Sequence, residues 1–380
     1  MGAGIAWDAS LRGLRCALIE QNEFASGTSS KTSKLVHGGL RYLEQRDFGL
    51  VRESLREREI LFRIAPKFVR PLPFMVPVKG RRPRSWLLVK LGISLYDWLA
   101  ATSPQHRHRF FGPAQLASEE PLLKGQADRA AVYTDGQMDD AGLVLAVIAA
   151  AEKAGAVLAN QLQVTGWHLE QGKVRGARAL DRKGNGELLI RARQVVNATG
   201  PWVDRLRKLA DPSLPEIVRP SKGIHLVYPS LGLRRALVLA SPRDGRIFFV
   251  MPWQGQTLIG TTDSDYREDP AKAQATPEEV RYLVEGTNEC LPSLDIRVDR
   301  VISTFAGVRP LVAQEKKDPW AVSRRHLFHE DSNGLLSVVG GKFTTFRKIA
   351  QEAVDLIAPR FPDRALAACS TAVTPLLGQS

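Results

Sequence analysis

The sequence has little cysteine, no long hydrophobic run and no internal repeat. Cys16, Cys290 and Cys369 are far apart in a chain of 380 residues and form no CxxC pair. This spacing favours neither a zinc site nor a disulfide framework, and it is typical of a reducing compartment. The most apolar stretch, residues 143–151, is far shorter than the roughly 20 residues needed to cross a bilayer. We therefore predict no metal centre, and a protein that is soluble or lies on a membrane without spanning it.

Acidic residues are in short supply, because 40 of them face 53 basic ones and the formal net charge is +13. Such an excess favours anionic partners: phosphorylated substrates, anionic lipid or nucleic acid. Nucleic acid is the weakest of the three, because the basic residues form neither a helix stripe nor a known binding module. The excess is greatest in residues 81–112, where a single acid, Asp97, accompanies six basic residues: Arg81, Arg82, Arg84, Lys90, Arg107 and Arg109.

The first elements indicate an α/β protein. A helix over 2–12 is followed by a short apolar strand, 15–20, which we expect to be buried on both faces and which ends in Glu20. A second helix, 47–64, carries a charged RESLRERE run that we expect to face water.

The later part of the chain has a different pattern of predicted elements. From about 216 to 310, alternating strands indicate antiparallel pairing, and residues 335–357 form a strand, a Gly-Gly turn and a helix. The pattern predicts a split, Rossmann-like dinucleotide-binding domain with an inserted, mostly antiparallel β domain, an organisation that often binds flavin. The boundaries we assign are 1–75, 130–209 and 331–360 for the dinucleotide-binding domain, 76–129 for an insertion, 210–330 for the substrate domain and 361–380 for a tail.

The polar stretch at 26–44, SGTSSKTSKLVHGGLRYLE, follows the strand that ends in Glu20. Its serine, threonine, glycine and basic residues are suited to lie against a polar, phosphorylated ligand. Gly2 and Gly4 open the helix before that strand, which is the order found in the tail of a glycine-rich dinucleotide fingerprint. Each feature has an ordinary alternative, a solvated loop or a simple turn, and none is decisive alone.

Several cationic or titratable side chains stand where a strand or turn ends. Arg309, in the segment GVRP, and Arg41 each offer a fork for a phosphate or carboxylate, and a surface ion pair is the alternative. Lys342 lies in GGKFTT, where a helix N-terminus would face a developing anion unless the turn is only a connection. His225, in a strand, is a candidate general base or a structural histidine.

Residues 86–101, WLLVKLGISLYDWLAA, form an apolar helix with basic neighbours. One interpretation places it in a lipid headgroup layer with Trp86, Tyr96 and Trp98 as anchors. The equally supported alternative is a buried amphipathic helix.

Taken together, these segments resemble the FAD-dependent, quinone-linked glycerol-3-phosphate dehydrogenases of the aerobic type. The resemblance spans nearly the whole chain and follows the family's order. It rests on GAGIAWDASLRGL, Glu20, SGTSSKTSKLVHGGLRYLE, NATGPWV (197–203), KGIHLVYP (222–229), IGTTD (259–263), GVRPL (307–311) and GGKFTTFRK (340–348).

The resemblance implies oxidation of sn-glycerol 3-phosphate to dihydroxyacetone phosphate, with hydride transfer to flavin N5 and electrons passed to quinone. Around the substrate it implies Arg41, Tyr42, His225, Arg309, Lys342 and Thr344, of which His225, Arg309 and Lys342 are the catalytic candidates. Around FAD it implies Gly2, Gly4, Glu20, Thr28, Ser29, Ser30, Leu35, His37, Gly38, Gly39, Ala198, Thr199, Gly200, Trp202, Gly307, Gly341, Lys342, Phe343 and Thr344. His225 is our choice of base on its pKa, while Arg309 or Lys342 could bind the phosphate or the hydroxyl oxygen.

The sequence departs from the family pattern at both ends, because the first strand, the first glycines and the C-terminal helical domain are missing. We expect a cytoplasmic protein, peripheral on the cytoplasmic face of the inner membrane if the 86–101 helix binds lipid. Two alternatives stay open. One is a related flavin oxidase or dehydrogenase of an amino or 2-hydroxy acid, which needs only a carboxylate clamp. The other is an inactive, truncated remnant that binds lipid.

Overall fold

A computed structural model describes residues 1–44, 47–80, 83–100, 107–184, 186–313 and 326–376. The helices are α1 (Gly2–Leu11), α2 (Arg41–Glu44), α3 (Phe48–Ile64), α4 (Pro83–Ala100), α5 (Pro113–Glu119), α6 (Asp140–Lys153), α7 (Val203–Lys208), α8 (Pro277–Cys290) and α9 (Phe346–Ile357). The strands are β1 (Ala17–Ile19), β2 (Leu35–Val36), β3 (Val69–Val78), β4 (Arg109–Phe111), β5 (Arg129–Met138), β6 (Val157–Ala159), β7 (Leu162–Glu170), β8 (Lys173–Asp181), β9 (Gly186–Arg191), β10 (Val196–Asn197), β11 (Val218–Tyr228), β12 (Ala236–Ala240), β13 (Ile247–Trp253), β14 (Gln256–Gly260), β15 (Ser264–Asp265), β16 (Ser303–Val312), β17 (His326–Glu330) and β18 (Leu336–Gly340).

The dinucleotide-binding part contains parallel strand pairs and the helices that cover them. β1 pairs with β6 and β10 pairs with β18, both in parallel, and α1 packs against α6 and α9. Gly4 allows this packing, because a Cβ at residue 4 would lie only 3.0 Å from the Phe346 ring and 3.1 Å from Ala350. The α/β class and the split, Rossmann-like domain predicted from the sequence are confirmed.

Our expectation that β1 is buried on both faces is wrong. Ala17 is exposed, and Leu18 and Ile19 are half-buried. Among the described strands β1 has β6 as its one partner, and its residues also line a large cavity. A strand with one neighbour cannot be covered as a central parallel strand is.

A ten-stranded mixed sheet forms the second layer, in the order β15-β11-β14-β13-β12-β3-β5-β2, with β16 beside β11 and β4 beside β5. Its pairings are antiparallel except for the short parallel contact between β12 and β3. The antiparallel strand pairing predicted for 216–310 is confirmed. The sheet also recruits β2, β3 and β5, which lie outside the segment 210–330 that we assigned to the substrate domain, so that boundary stays a prediction.

The charged run of α3 does not all face water, which corrects our expectation. Glu57 and Arg58 are buried, at 2% and 1% exposure. Glu57 accepts two hydrogen bonds from Arg347 of α9, at 2.7 and 2.6 Å, and Arg58 donates to Asp135 at 2.7 Å. The helical periodicity marks which positions turn inward, but it does not show that a charged residue there has a buried partner.

α4 is amphipathic, with one buried and one exposed side. Ile93, Tyr96 and Ala100 are buried, whereas four apolar side chains are 55–76% exposed: Leu87, Leu88, Leu91 and Trp98. The interpretation of Tyr96 as a lipid anchor is therefore wrong, because its hydroxyl donates to buried Asp135 at 2.7 Å. Burial, and secondly Asp135, raise the pKa of Tyr96. Arg81 and Arg82 and the side chain of Arg84 lie outside the described residues.

Within the described residues, none of the helices has the length and apolar character to cross a membrane.

Candidate active site

A large cavity of about 1970 Å³ is lined by residues of the parallel strands and of the ten-stranded sheet. It brings together most of the residues predicted as site residues from the sequence. Those that line it are Gly2, Gly4, Glu20, Thr28, Ser29, Leu35, His37, Gly39, Tyr42, Ala198, Thr199, Gly200, His225, Gly307, Arg309, Gly341, Lys342, Phe343 and Thr344.

Three predicted site residues are not in the lining. Ser30 forms part of a short 3-10 turn and donates to the carbonyl of Gly27 at 3.4 Å. Gly38 faces the helices behind the site, where a Cβ would lie 2.5 Å from both Leu55 and the Tyr96 hydroxyl. Trp202 donates to Asp269 at 3.4 Å at the surface. The side chain of Arg41 lies outside the described part of the structure.

The loop from 28 to 34 is tied to the start of α6. Asp140 accepts hydrogen bonds from the backbone and hydroxyl of Thr32, at 3.3 and 2.7 Å, and an ion pair from Lys34 at 2.8 Å. A carboxylate in the first turn of a helix is favoured by the partial positive charge of the free amides there. Gly307 lets the loop approach β16, because a Cβ at residue 307 would clash with the carbonyl of Lys31. The loop is therefore held on both sides.

The turn at His37 to Gly39 is held by three side chains from two parts of the chain. Lys342 donates to the carbonyls of His37 and Gly38, at 3.2 and 3.0 Å, and to Ser54 at 2.9 Å. Thr344 accepts from the amide of His37 at 3.1 Å, and Asp135 accepts from the amide of Gly38 at 3.3 Å. Lys342 thus shapes the turn in addition to lining the cavity.

His225 lies on β11, between β14 and β16, and faces the cavity. Its neighbours Ile224 and Leu226 belong to the apolar cluster on the other side of the sheet, as the strand alternation predicts. The ring is 1% exposed and stacks on Phe305 with 4.9 Å between ring centroids. Burial, then the nearby cations Arg309 and Lys34, hold the pKa of His225 well below its usual range. The imidazole is therefore neutral at physiological pH.

Arg309 projects from β16 and is oriented by the segment 261–263. Its guanidinium donates to the hydroxyl of Thr261 at 2.9 Å and to the carbonyl of Thr262 at 3.3 Å, and it pairs with Asp263 at 3.2 Å. Gly223 makes room for it, because a Cβ there would overlap the guanidinium. The cation lies at the cavity wall with its orientation fixed.

Glu20 contributes an acidic side chain to the site. It follows β1, lines the cavity and accepts a hydrogen bond from the amide of Asn22 at 3.0 Å. Burial raises its pKa. A carboxylate after the first βα unit is placed to accept hydrogen bonds from ribose hydroxyls.

Several lining residues were not identified from the sequence. Ser33, Gly223 and Thr261 line the cavity, and Gly260 makes room for the His225 ring, since a Cβ there would lie 2.8 Å from the ring carbon Cγ. The signal that could have identified the two glycines is their place inside strands, where glycine often marks a close approach.

The chain matches the family described as FAD dependent oxidoreductase over residues 1–347. It belongs to this family. It is 37% identical to the aerobic glycerol-3-phosphate dehydrogenase of Staphylococcus haemolyticus over 384 residues, which cover 99% of this chain and 69% of that protein. The corresponding protein of Staphylococcus aureus is 35% identical over 363 residues, covering 94% of this chain and 65% of its own length.

Solved structures give the same picture. The glycerol-3-phosphate dehydrogenase of Bacillus halodurans, complexed with FAD, is similar with a TM-score of 0.79 and 33% identity, over 98% of this chain and 64% of that one. The L-alpha-glycerophosphate oxidase of Mycoplasma pneumoniae has a TM-score of 0.74 at 16% identity, which shows the fold alone. The chain spans about two thirds of the length of these dehydrogenases.

Proposed function

We propose that this protein binds FAD and oxidises sn-glycerol 3-phosphate to dihydroxyacetone phosphate. The observation that carries the proposal is the convergence of Arg309, Lys342 and His225 on one cavity that also contains Glu20. The named relatives at 35–37% identity support the same substrate. The domain boundaries and residue roles assigned from the sequence are part of this proposal.

We propose that the cavity holds FAD, with Glu20 at the ribose and with Thr28 and Ser29 at the pyrophosphate. Gly39, with φ of +82°, and Gly341, with φ of +79°, have backbone conformations that side chains disfavour, and they keep the wall open for a flat ring. A Cβ at Gly39 would approach the Lys342 amino group to 3.0 Å.

When bound, FAD supplies the acceptor for the hydride that leaves C2 of the substrate. The chain supplies charge and position. A phosphate with about two negative charges favours several convergent cations, and Arg309 and Lys342 are on the cavity wall. His225 lies on the same wall, where its imidazole can bind the oxygen on C2. A single carboxylate, as in an amino acid or a 2-hydroxy acid, would need fewer cations.

The test is an absorption spectrum of the purified protein before and after addition of glycerol 3-phosphate. We expect bound flavin that bleaches with this substrate and not with glycine, proline or lactate. Arg309→Ala should abolish bleaching by low substrate concentrations while flavin stays bound. Flavin that bleaches only with an amino or 2-hydroxy acid would contradict the substrate. A protein without flavin, also after incubation with FAD, would contradict the whole proposal and favour an inactive remnant.

We propose further that the electrons pass to a quinone and that α4 lies on a membrane surface. Leu88 and Leu91 of α4 and Phe48 of α3 are 66%, 59% and 45% exposed, and all three also line the cavity. The apolar side of α4 therefore continues into the site. An apolar ring with a lipid-soluble tail matches such an entrance, and the basic neighbours favour anionic headgroups. We propose that the protein lies in the cytoplasm, on the cytoplasmic face of the inner membrane.

Vesicle sedimentation tests the membrane proposal. Leu88→Glu with Leu91→Glu should reduce binding to anionic vesicles and slow reduction of a quinone analogue, while reduction of a soluble dye stays normal. Leu189→Glu, at a residue 48% exposed on β9, is the matched control. Equal binding by all variants would contradict a role for α4.

A further inference from the structure

Ser33 and His225 form a polar pair on the cavity wall that none of the roles above includes. The serine hydroxyl and Nε2 of the imidazole are 3.0 Å apart, and both residues line the cavity. The other ring nitrogen, Nδ1, is buried and has no hydrogen-bond partner among the described residues. The two nitrogens therefore have very different surroundings.

These surroundings select one tautomer of the neutral ring. A buried N–H group without an acceptor is rare in proteins, whereas a buried lone pair without a donor is better tolerated. The hydrogen therefore lies on Nε2, and Nδ1 carries the lone pair. The Nε2–H group points to Ser33, whose hydroxyl oxygen accepts it.

Both partners have a fixed orientation. The imidazole lies against Phe305 with an interplanar angle of 14°, and Gly260 packs against its opposite edge. Ser33 stands between Thr32 and Lys34, which are both bonded to Asp140. The backbone that carries the Ser33 hydroxyl is therefore held on both sides.

The charged groups around the ring keep it neutral. Arg309 on β16 and Lys34 in the loop face it, and both disfavour a third positive charge. Their carboxylate partners, Asp263 and Asp140, are engaged with these cations. Burial is the largest cause of the lowered pKa of the ring, and the two cations add to it.

We infer that Ser33 is a positioning residue that holds the neutral imidazole of His225 in one orientation on the cavity wall, as its Nε2–H tautomer. The tautomer does not depend on the proposed function, whereas the readout by flavin reduction rests on it.

Nuclear magnetic resonance of the full chain with ¹⁵N-labelled histidine tests the tautomer without a turnover measurement. Signals that disappear in His225→Gln belong to this ring. We expect a protonated Nε2 and an unprotonated Nδ1 in the wild-type protein across neutral pH. Ser33→Ala should shift the signals towards a mixture, and Ser33→Thr, which keeps the hydroxyl, should restore them. Protonation at Nδ1 in the wild type would overturn the inference.

Flavin reduction gives the second readout. Ser33→Ala should lower kcat about 3- to 10-fold, the worth of one hydrogen bond, with a smaller change in KM. Ser118→Ala removes an exposed serine on α5 and serves as the control. An unchanged kcat and an unchanged tautomer in Ser33→Ala would overturn the role of Ser33. If the wild-type tautomer is as expected but glycerol 3-phosphate does not bleach the flavin, the proposed function fails and the tautomer assignment stands.

Discussion

Gly223 lies directly beside Arg309, and replacing it with alanine should displace the cation that we propose binds the substrate. A Cβ at residue 223 would overlap the guanidinium and approach the Thr261 hydroxyl to 2.5 Å. The φ angle of Gly223 lies outside the left-handed region, so alanine adds no backbone strain. The effect is therefore steric and falls on Arg309.

The size of the effect follows from the hydrogen bonds that Arg309 must give up. It donates to Thr261, to the Thr262 carbonyl and to Asp263, at 2.9–3.3 Å. A hydrogen bond to a charged group contributes about 1.5–3 kcal/mol. Loss of one such bond corresponds to about a 10- to 100-fold fall in kcat/KM for glycerol 3-phosphate.

Stopped-flow flavin reduction measures this ratio, and the flavin absorbance reports cofactor content in the same sample. Gly166→Ala is the matched control, since no atom of the described residues lies within 4 Å of a Cβ at that strand position. Gly223→Ala with normal flavin content and an unchanged kcat/KM would refute the role of Arg309. Equal losses in both variants would show a general effect on the strands instead.

Three further results are expected. Arg347→Met should lower the free energy of unfolding by about 3–5 kcal/mol in urea titrations, because it leaves Glu57 charged and buried; a loss below 1 kcal/mol would contradict this. The pKa of His225 is lowered in the folded protein, so the unfolded chain takes up the proton first as the pH falls. The free energy of unfolding should therefore fall as the pH drops below about 6.5, by at most about 1.4 kcal/mol per pH unit. His225→Gln should flatten that dependence, and an equal slope in both proteins would contradict it. Lys342→Met frees the carbonyls of His37 and Gly38, so its flavin should dissociate faster in dilution assays than that of Lys348→Met at the half-buried neighbour on α9.

Local sequence signals correctly indicate several helix ends and turns. Gly13, with φ of +92°, ends α1, and Thr276 forms the capping box at α8, both as their residue types predict. The turn at Asn333-Gly334 joins β17 and β18 as expected for a hairpin. These features depend on a few neighbouring residues, and short-range physics is sufficient for them.

Other features depend on partners that lie far away in the sequence. Glu57 was predicted to lie at the surface, as was Tyr96 in one of two interpretations, because the sequence does not show which distant residue would pair with a buried polar group. Asp135 and Arg347, which do so, are 39 and 290 residues away. Ser33 was missed for the same reason, because its role depends on His225, 192 residues along the chain. The residue types alone identified Arg309 and Lys342 as cations of the site. The groups that orient them could be identified only from the fold.

The ten-stranded sheet has a consequence for how ligands enter. β3 and β5 share this sheet with β11–β14, and Phe74, Tyr133 and Met251 pack in one apolar cluster across the join. A rotation of β11–β14 away from β3 and β5 would have to break the backbone hydrogen bonds between β3 and β12 and separate the residues of that cluster. We therefore expect the cavity to keep its width during turnover. Glycerol 3-phosphate would diffuse in through an entrance that stays open, without a closing movement of the two layers.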